Sequence, residues 1–204
     1  MFVRRTLVAL AALAFVLAAP ATASAQAKNV TAAPVSSGML WGVAAGMEDG
    51  DGDTGLALRV DGVFPFKSLS PKIRLSWVGS VGFTRFSDSV TVPFINETAE
   101  FSSNILKAVP AARFTLPLSP KFDLYGDAGL GLYLLFWSSS IPDGLGGTVD
   151  DSGTEFGFMM RFAVGGMFAV SPTFRLGAEL GLNPYFGDVD DNTFSAMAVA
   201  NFRF

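Results

Sequence analysis

The 204-residue chain contains no cysteine and no histidine. Without a thiol there is no disulfide, no thiolate metal site and no lipoprotein anchor. Without an imidazole, Ser–His and Cys–His nucleophile pairs and His-ligated metals are excluded. Charge is sparse, at 16 % of residues, while half the chain is hydrophobic and 20 residues are Phe. Yet past residue 25 no apolar run reaches the roughly 20 residues a membrane helix needs. A chain this apolar must either bury its apolar side chains in a core or turn them to lipid through a closed barrel.

The one long apolar run stands at the start. Arg4 and Arg5 precede the run 7–19, followed by Pro20 and by Ala23-Ser24-Ala25. A basic segment, a short apolar segment and a small-residue cleavage site describe a signal peptide over 1–25; the run is too short for an uncleaved anchor. A flexible lead, 26–37, and a single domain, 38–204, follow. Cleavage removes two arginines and no acid, which takes the 14 basic residues to 12 against 18 acids, a formal charge of −6.

Three stretches echo one another: "SPKIRL" at 70–75, "SPKFDL" at 119–124 and "SPTFRL" at 171–176. Proline lacks the N–H of a ladder and suits a tight turn or a strand's first residue, and serine favours such turns. Each copy therefore marks a short turn that feeds a new strand. Alternation of apolar and polar residues then predicts eight strands, at 38–47, 54–66, 72–86, 104–118, 121–137, 154–170, 173–186 and 193–204. The fold class expected is all-β, an eight-stranded antiparallel up-and-down barrel.

Every strand but the first, whose "MLWGVAAGM" is ambiguous, sorts into two faces. One face is apolar throughout, as in Phe122, Leu124, Leu130, Leu132 and Phe136. The other collects Arg59, Asp61, Lys72, Arg74, Lys107, Arg113, Asp123, Asp127, Glu155, Arg161, Arg175, Glu179 and Arg203, with many glycines between them. A soluble sandwich or lipocalin would turn the apolar face inward. A continuous apolar face on strand after strand, backed by small and ionised residues, fits a membrane barrel better. Eight strands enclose a space that side chains alone can fill, so these charges are expected to pair along a narrow lumen. Asp123 and Asp127 could in principle form a catalytic carboxylate pair, but lumenal arginines make salt bridging the better reading.

Thirteen of the 18 acids fall in four longer connections, at 48–55, 87–103, 138–153 and 187–192, and no Lys or Arg falls in any of them. One rim is thus acidic; the other, with Lys67, Lys72 and Lys121 at the short turns, is mildly basic. Long loops face outward in outer-membrane barrels and short turns face the periplasm. "DGDGD" at 49–53 spaces Asp49, Asp51 and Asp53 like the start of a calcium loop, but Thr54 and Val60 stand where an EF-hand needs Gly and Glu. A solvated Asp-Gly hairpin tip is expected, with loose divalent-ion binding as the alternative. "GLGG" at 144–147 precedes no helix, so it is no phosphate loop. The basic residues, interleaved with acids, give nucleic acid no footprint. No cofactor is expected.

With its signal peptide, even strand count, two-faced strands and terminal "NFRF", the chain over 38–204 resembles the small eight-stranded outer-membrane barrels, the OmpA transmembrane domain and OmpX among them. The resemblance implies outer-membrane location, contact with lipid and lipopolysaccharide, and delivery to the barrel insertion machinery through a C-terminal signal that here ends in Phe202 and Phe204. An eight-stranded chain can close alone, so a monomer is expected. Some small outer-membrane barrels are deacylases, acyltransferases or proteases that rely on a histidine, and this chain departs from them. Three functions stay open: a structural or surface-interaction barrel with a plugged lumen, a narrow porin for small or apolar solutes of the OmpW type, and a soluble periplasmic calycin-like binder.

Overall fold

A computed structural model describes residues 38–50, 53–70, 72–92, 97–143, 147–187 and 191–203. The signal peptide and lead expected over 1–37, together with Asp51 and Phe204, lie outside them. Eight strands follow in chain order: β1 Leu40–Gly50, β2 Asp53–Ser70, β3 Ile73–Val92, β4 Glu97–Ser119, β5 Phe122–Pro142, β6 Thr148–Ala169, β7 Phe174–Gly187 and β8 Asn192–Arg203. Each pairs antiparallel with its neighbours in sequence, and β8 returns to β1 from Leu40↔Arg203 to Asp49↔Phe194. The sheet closes on itself and leaves no edge around the ring.

The exposure pattern is inverted relative to a soluble protein. Leu56 is 71 % exposed, Phe194 64 % and Val164 63 %, whereas Asp61 is 0 % exposed and Glu179 2 %. An apolar exterior this continuous is unstable in water and stable in hydrocarbon. Two aromatic belts bound it. Trp41, Phe64, Trp77, Phe114, Phe168 and Phe202 are exposed toward the short-turn end, and Phe83, Phe136, Phe156, Phe158, Phe186 and Phe194 toward the other. Aromatic rings prefer those two interfaces.

The repeated Ser-Pro turns have a common construction. Ser70 Oγ accepts the Lys72 N–H at 3.2 Å, Ser119 Oγ the Lys121 N–H at 3.3 Å, and Ser171 Oγ the Thr173 N–H at 3.3 Å. A serine that bonds the backbone two residues on, followed by a proline with no donor to place, closes the chain in the least length. Lys72, expected on the lumenal face, is instead exposed in the first of these turns.

At the opposite end four strands run further than the sequence predicts. The connections expected at 87–103 and 138–153 are mostly strand, because β3 continues to Val92, β4 begins at Glu97, β5 runs to Pro142 and β6 begins at Thr148. Their neighbours stop short. The β2–β3 pairing ends at Leu56↔Arg85 and the β6–β7 pairing at Gly157↔Gly187. Gly187, at φ 124°, turns the chain out of β7 in a region that favours glycine. A four-stranded sheet therefore stands above the ring, with the outer sides of 86–92 and 148–156 unpaired among the described residues.

Candidate functional site

The barrel interior is filled by ionised side chains that face each other across the ring. Arg59, from β2, forks onto Asp61 at 2.8 and 3.0 Å and onto Glu179 of β7 at 2.7 and 3.0 Å. Arg161 of β6 reaches Glu179 at 2.8 Å and Asp127 of β5 at 3.3 Å. Arg113 of β4 grips Asp127 with two bonds of 2.7 Å and lies 4.2 Å over the Tyr125 ring. Tyr125 in turn donates to Glu179 at 2.9 Å. Toward the short-turn end Asp123 takes Arg74 at 3.1 Å, and Arg175 as well. Ions withdrawn from water persist only when paired and hydrogen-bonded, and strands of alternating parity deliver the partners.

Toward the outer end Lys107 stands on the lumenal face that alternation assigns to it, opposite an acid that alternation does not place there. Glu48 was expected in an acidic outer loop; it is 1 % exposed inside the ring. Lys107 contacts it directly, and Thr84 and Tyr185 donate to it at 2.8 and 2.9 Å. The only signal for this was parity, since Glu48 falls in step with Gly42, Ala44 and Gly46 on the ambiguous first strand. Beside it lies an apolar cluster of Phe86, Ile105, Val109, Tyr133, Met159 and Tyr185, in which the two tyrosine rings meet edge to face at 5.1 Å. The cavity beside Arg59, Lys107 and Arg161 measures about 30 Å³, two to three times the roughly 10–15 Å³ that admits a single water.

The glycines of the inner face are seats for these rings. Across the β5–β6 ladder Tyr125 pairs with Gly165, Tyr133 with Gly157 and Trp137 with Gly153. A Cβ at Gly165 would lie 2.5 Å from Tyr125 Cζ, one at Gly157 2.6 Å from the Tyr133 hydroxyl, and one at Gly153 2.7 Å from the Trp137 ring. Tyr125 and Tyr133 each lie against a residue with no side chain, so the narrow lumen holds both rings without widening, and Trp137 is seated in the same way in the sheet above it.

Other expected sites stand differently. Glu155 joins no ion pair among the described residues; its partner is the Trp137 indole N–H at 3.2 Å. Arg203 likewise has no ion pair there, and its Nε is buried without a partner. The divalent-ion candidates gain no support: Asp49 accepts the Thr54 hydroxyl at 3.3 Å, Asp53 is exposed opposite Gly50, and no group of three or more potential ligands forms among the described residues. Phe202 is 36 % exposed on the outer wall, tilted against Phe174 at 5.0 Å.

A closed ring with an apolar exterior and an ion-paired interior defines a transmembrane β-barrel. The family described as outer membrane protein beta-barrel domain matches residues 9–202; the chain belongs to it and resides in the outer membrane. No curated protein matches. Among solved structures, Neisserial surface protein A is 18 % identical, with 81 % of this chain and 96 % of that one aligned at a TM-score of 0.52. A major outer membrane protein from Thermus thermophilus is 14 % identical over 81 % and 99 %, at 0.53. The outer membrane protease OmpT from Escherichia coli is 11 % identical over 74 % and 64 %, at 0.55. At these identities the likeness is one of fold.

Proposed function

We infer that the chain is a non-conducting, non-catalytic outer-membrane barrel whose working part is the four-stranded sheet raised over its outer rim. That sheet carries the reading. It is longer than crossing the bilayer requires, and its two outer sides leave backbone donors and acceptors without strand partners among the described residues. One cross-strand row is serine on all four strands: Ser87, Ser102, Ser138 and Ser152. Asp88, Glu97, Glu100, Asp150 and Asp151 load the sheet with negative charge, against the single Arg85 at its base. A sheet so built suits contact with basic surfaces outside the cell. The ion-paired lumen and the apolar cluster beside Glu48 support a closed interior, and the absence of His and Cys supports a barrel without enzymatic activity.

Export by the signal peptide 1–25, with cleavage after Ala25, belongs to the same reading. So do recognition of the Phe-ended β8 by the insertion machinery, contact with lipopolysaccharide, and a monomer, for which the self-closing ring is the support. The test trims both raised hairpins to short turns, replacing 87–102 and 138–152. Cells displaying the intact chain should be retained on immobilised basic protein, and cells displaying the trimmed barrel should not. Equal retention overturns the reading, provided the trimmed barrel keeps its heat-modifiable mobility in SDS gels.

A further inference from the structure

The raised sheet has a second face, turned over the mouth of the ring, and it differs from the serine row. Ser103, on β4 in step with Ile105 and Lys107, is flanked across the ladders by Phe86 of β3 and Trp137 of β5. Phe101 stands two residues further along β4 on the same side. Three aromatic side chains thus surround one small residue. With Asp53 and Asp88 they line a cavity of about 250 Å³, and no basic residue lines it.

Phe86 belongs to the apolar cluster below and closes the floor. Trp137 is held by its indole bond to Glu155 at 3.2 Å and by the bare Gly153 against which it lies. Phe101 is 40 % exposed; it lies above the outer aromatic belt and on the inner side, so neither lipid nor core covers it. An aromatic-lined cavity open to solvent is the usual form of a small-ligand site.

The surrounding charges select the sign of the ligand. Asp88 pairs with Phe101 across the β3–β4 ladder and accepts the Ser89 N–H at 2.7 Å; among the described residues it joins no ion pair. The raised segments 85–104 and 136–155 contain one basic residue, Arg85. It pairs with Leu56, which is 71 % exposed on the outer wall, and so lies on the opposite face. Rings alone would accept any apolar group, whereas rings beside carboxylates and no base favour a cation. A bare metal ion is not selected, because no three potential ligands converge among the described residues. The chemistry left is that of an organic cation.

We propose that this cup binds an alkylammonium group, with its cation among the Phe86, Phe101 and Trp137 rings and Asp88 as its counter-ion. Two sources share this chemistry, a soluble quaternary ammonium and the lysine side chain of a basic surface; the second rests on the surface contact proposed above.

The experiment uses the refolded barrel in dodecyl maltoside carrying Trp41→Phe and Trp77→Phe, so that fluorescence reports Trp137 alone. Choline is the probe. A saturable change is expected, and its neutral analogue with carbon in place of nitrogen should bind at least about tenfold more weakly. Phe101→Leu should weaken choline binding about fivefold. Asp88→Asn should weaken it about threefold and leave the neutral analogue unaffected. Phe101→Tyr, which keeps the ring, and Asp49→Asn, which removes an acid from the outer wall of the same rim, should bind choline as the parent does. All variants should retain heat-modifiable mobility. Tighter binding of choline than of butylammonium assigns the site to a quaternary ammonium; the reverse order assigns it to a lysine side chain. Absence of a saturable change, equal binding of the neutral analogue, or unchanged binding in the Phe101→Leu, Asp88→Asn double variant overturns the proposal, whatever cell retention shows for the surface contact, since the titration needs no protein partner.

Discussion

Glu179 shows what a single lumenal residue does. It accepts four hydrogen bonds, two from Arg59, one from Arg161 and one from Tyr125. Truncation would leave two guanidinium groups facing a void in a medium that cannot solvate them. Glu179→Ala should therefore cost about 3–5 kcal/mol of unfolding free energy, measured by guanidinium titration of tryptophan fluorescence in lipid vesicles. A glycine seat makes a second case. Gly165→Val would push Tyr125 off its place, breaking its bond to Glu179 and its ring contact with Arg113. A drop in melting temperature of several degrees is expected, and Gly79→Ala, where nothing lies within 4 Å of the added carbon, serves as the tolerated comparison. The pairings behind both predictions were not legible in the sequence. Alternation placed Arg59, Arg161 and Glu179 on the inner face, but which of them meet depends on how far each strand is staggered around the ring.

At the scale of the strand, facing is the testable quantity. Leu130 lies midway along β5 between the two aromatic belts and is 57 % exposed. Leu130→Arg should cost about 2–4 kcal/mol in bilayers, the depth-dependent penalty for a lipid-facing arginine; an unchanged unfolding midpoint would place that face away from lipid. The turns predict smaller effects. Ser119 Oγ accepts two backbone N–H groups, those of Lys121 and Phe122, so Ser119→Ala should lose about 1 kcal/mol by the same titration. Strand number, turn positions and the facing of β2 to β8 could be read from letters because a buried and a lipid-bathed face differ in residue type. The upper halves of β3 to β6 could not. In segments such as "FSDSVTV" and "ETAEFSSN" one side alternates weakly, through Phe86, Val90, Ala99 and Phe101, but Asp88 and Glu97 interrupt it and the many Ser, Thr, Asp and Glu residues read as loop.

For the molecule as a whole, the lipid-facing exterior predicts that the purified mature chain precipitates from plain buffer and stays monodisperse only with amphiphile; light scattering decides. Planar bilayers test the interior. Purified barrel should give no ordered channel events, and regular openings would show that the ion-paired lumen conducts after all.

Composition and alternation alone determined that this chain is all-β and inverted, because both properties follow from residue type at a fixed period. Only closure of the ring decided that Glu48 is an inner partner of Lys107, that Glu155 leans on an indole, and that Arg74 and Arg175 share Asp123 near the short-turn end. The physical reason is the same each time. A strand sets the side on which a residue lies, whereas the stagger of eight strands sets which residue waits across the lumen.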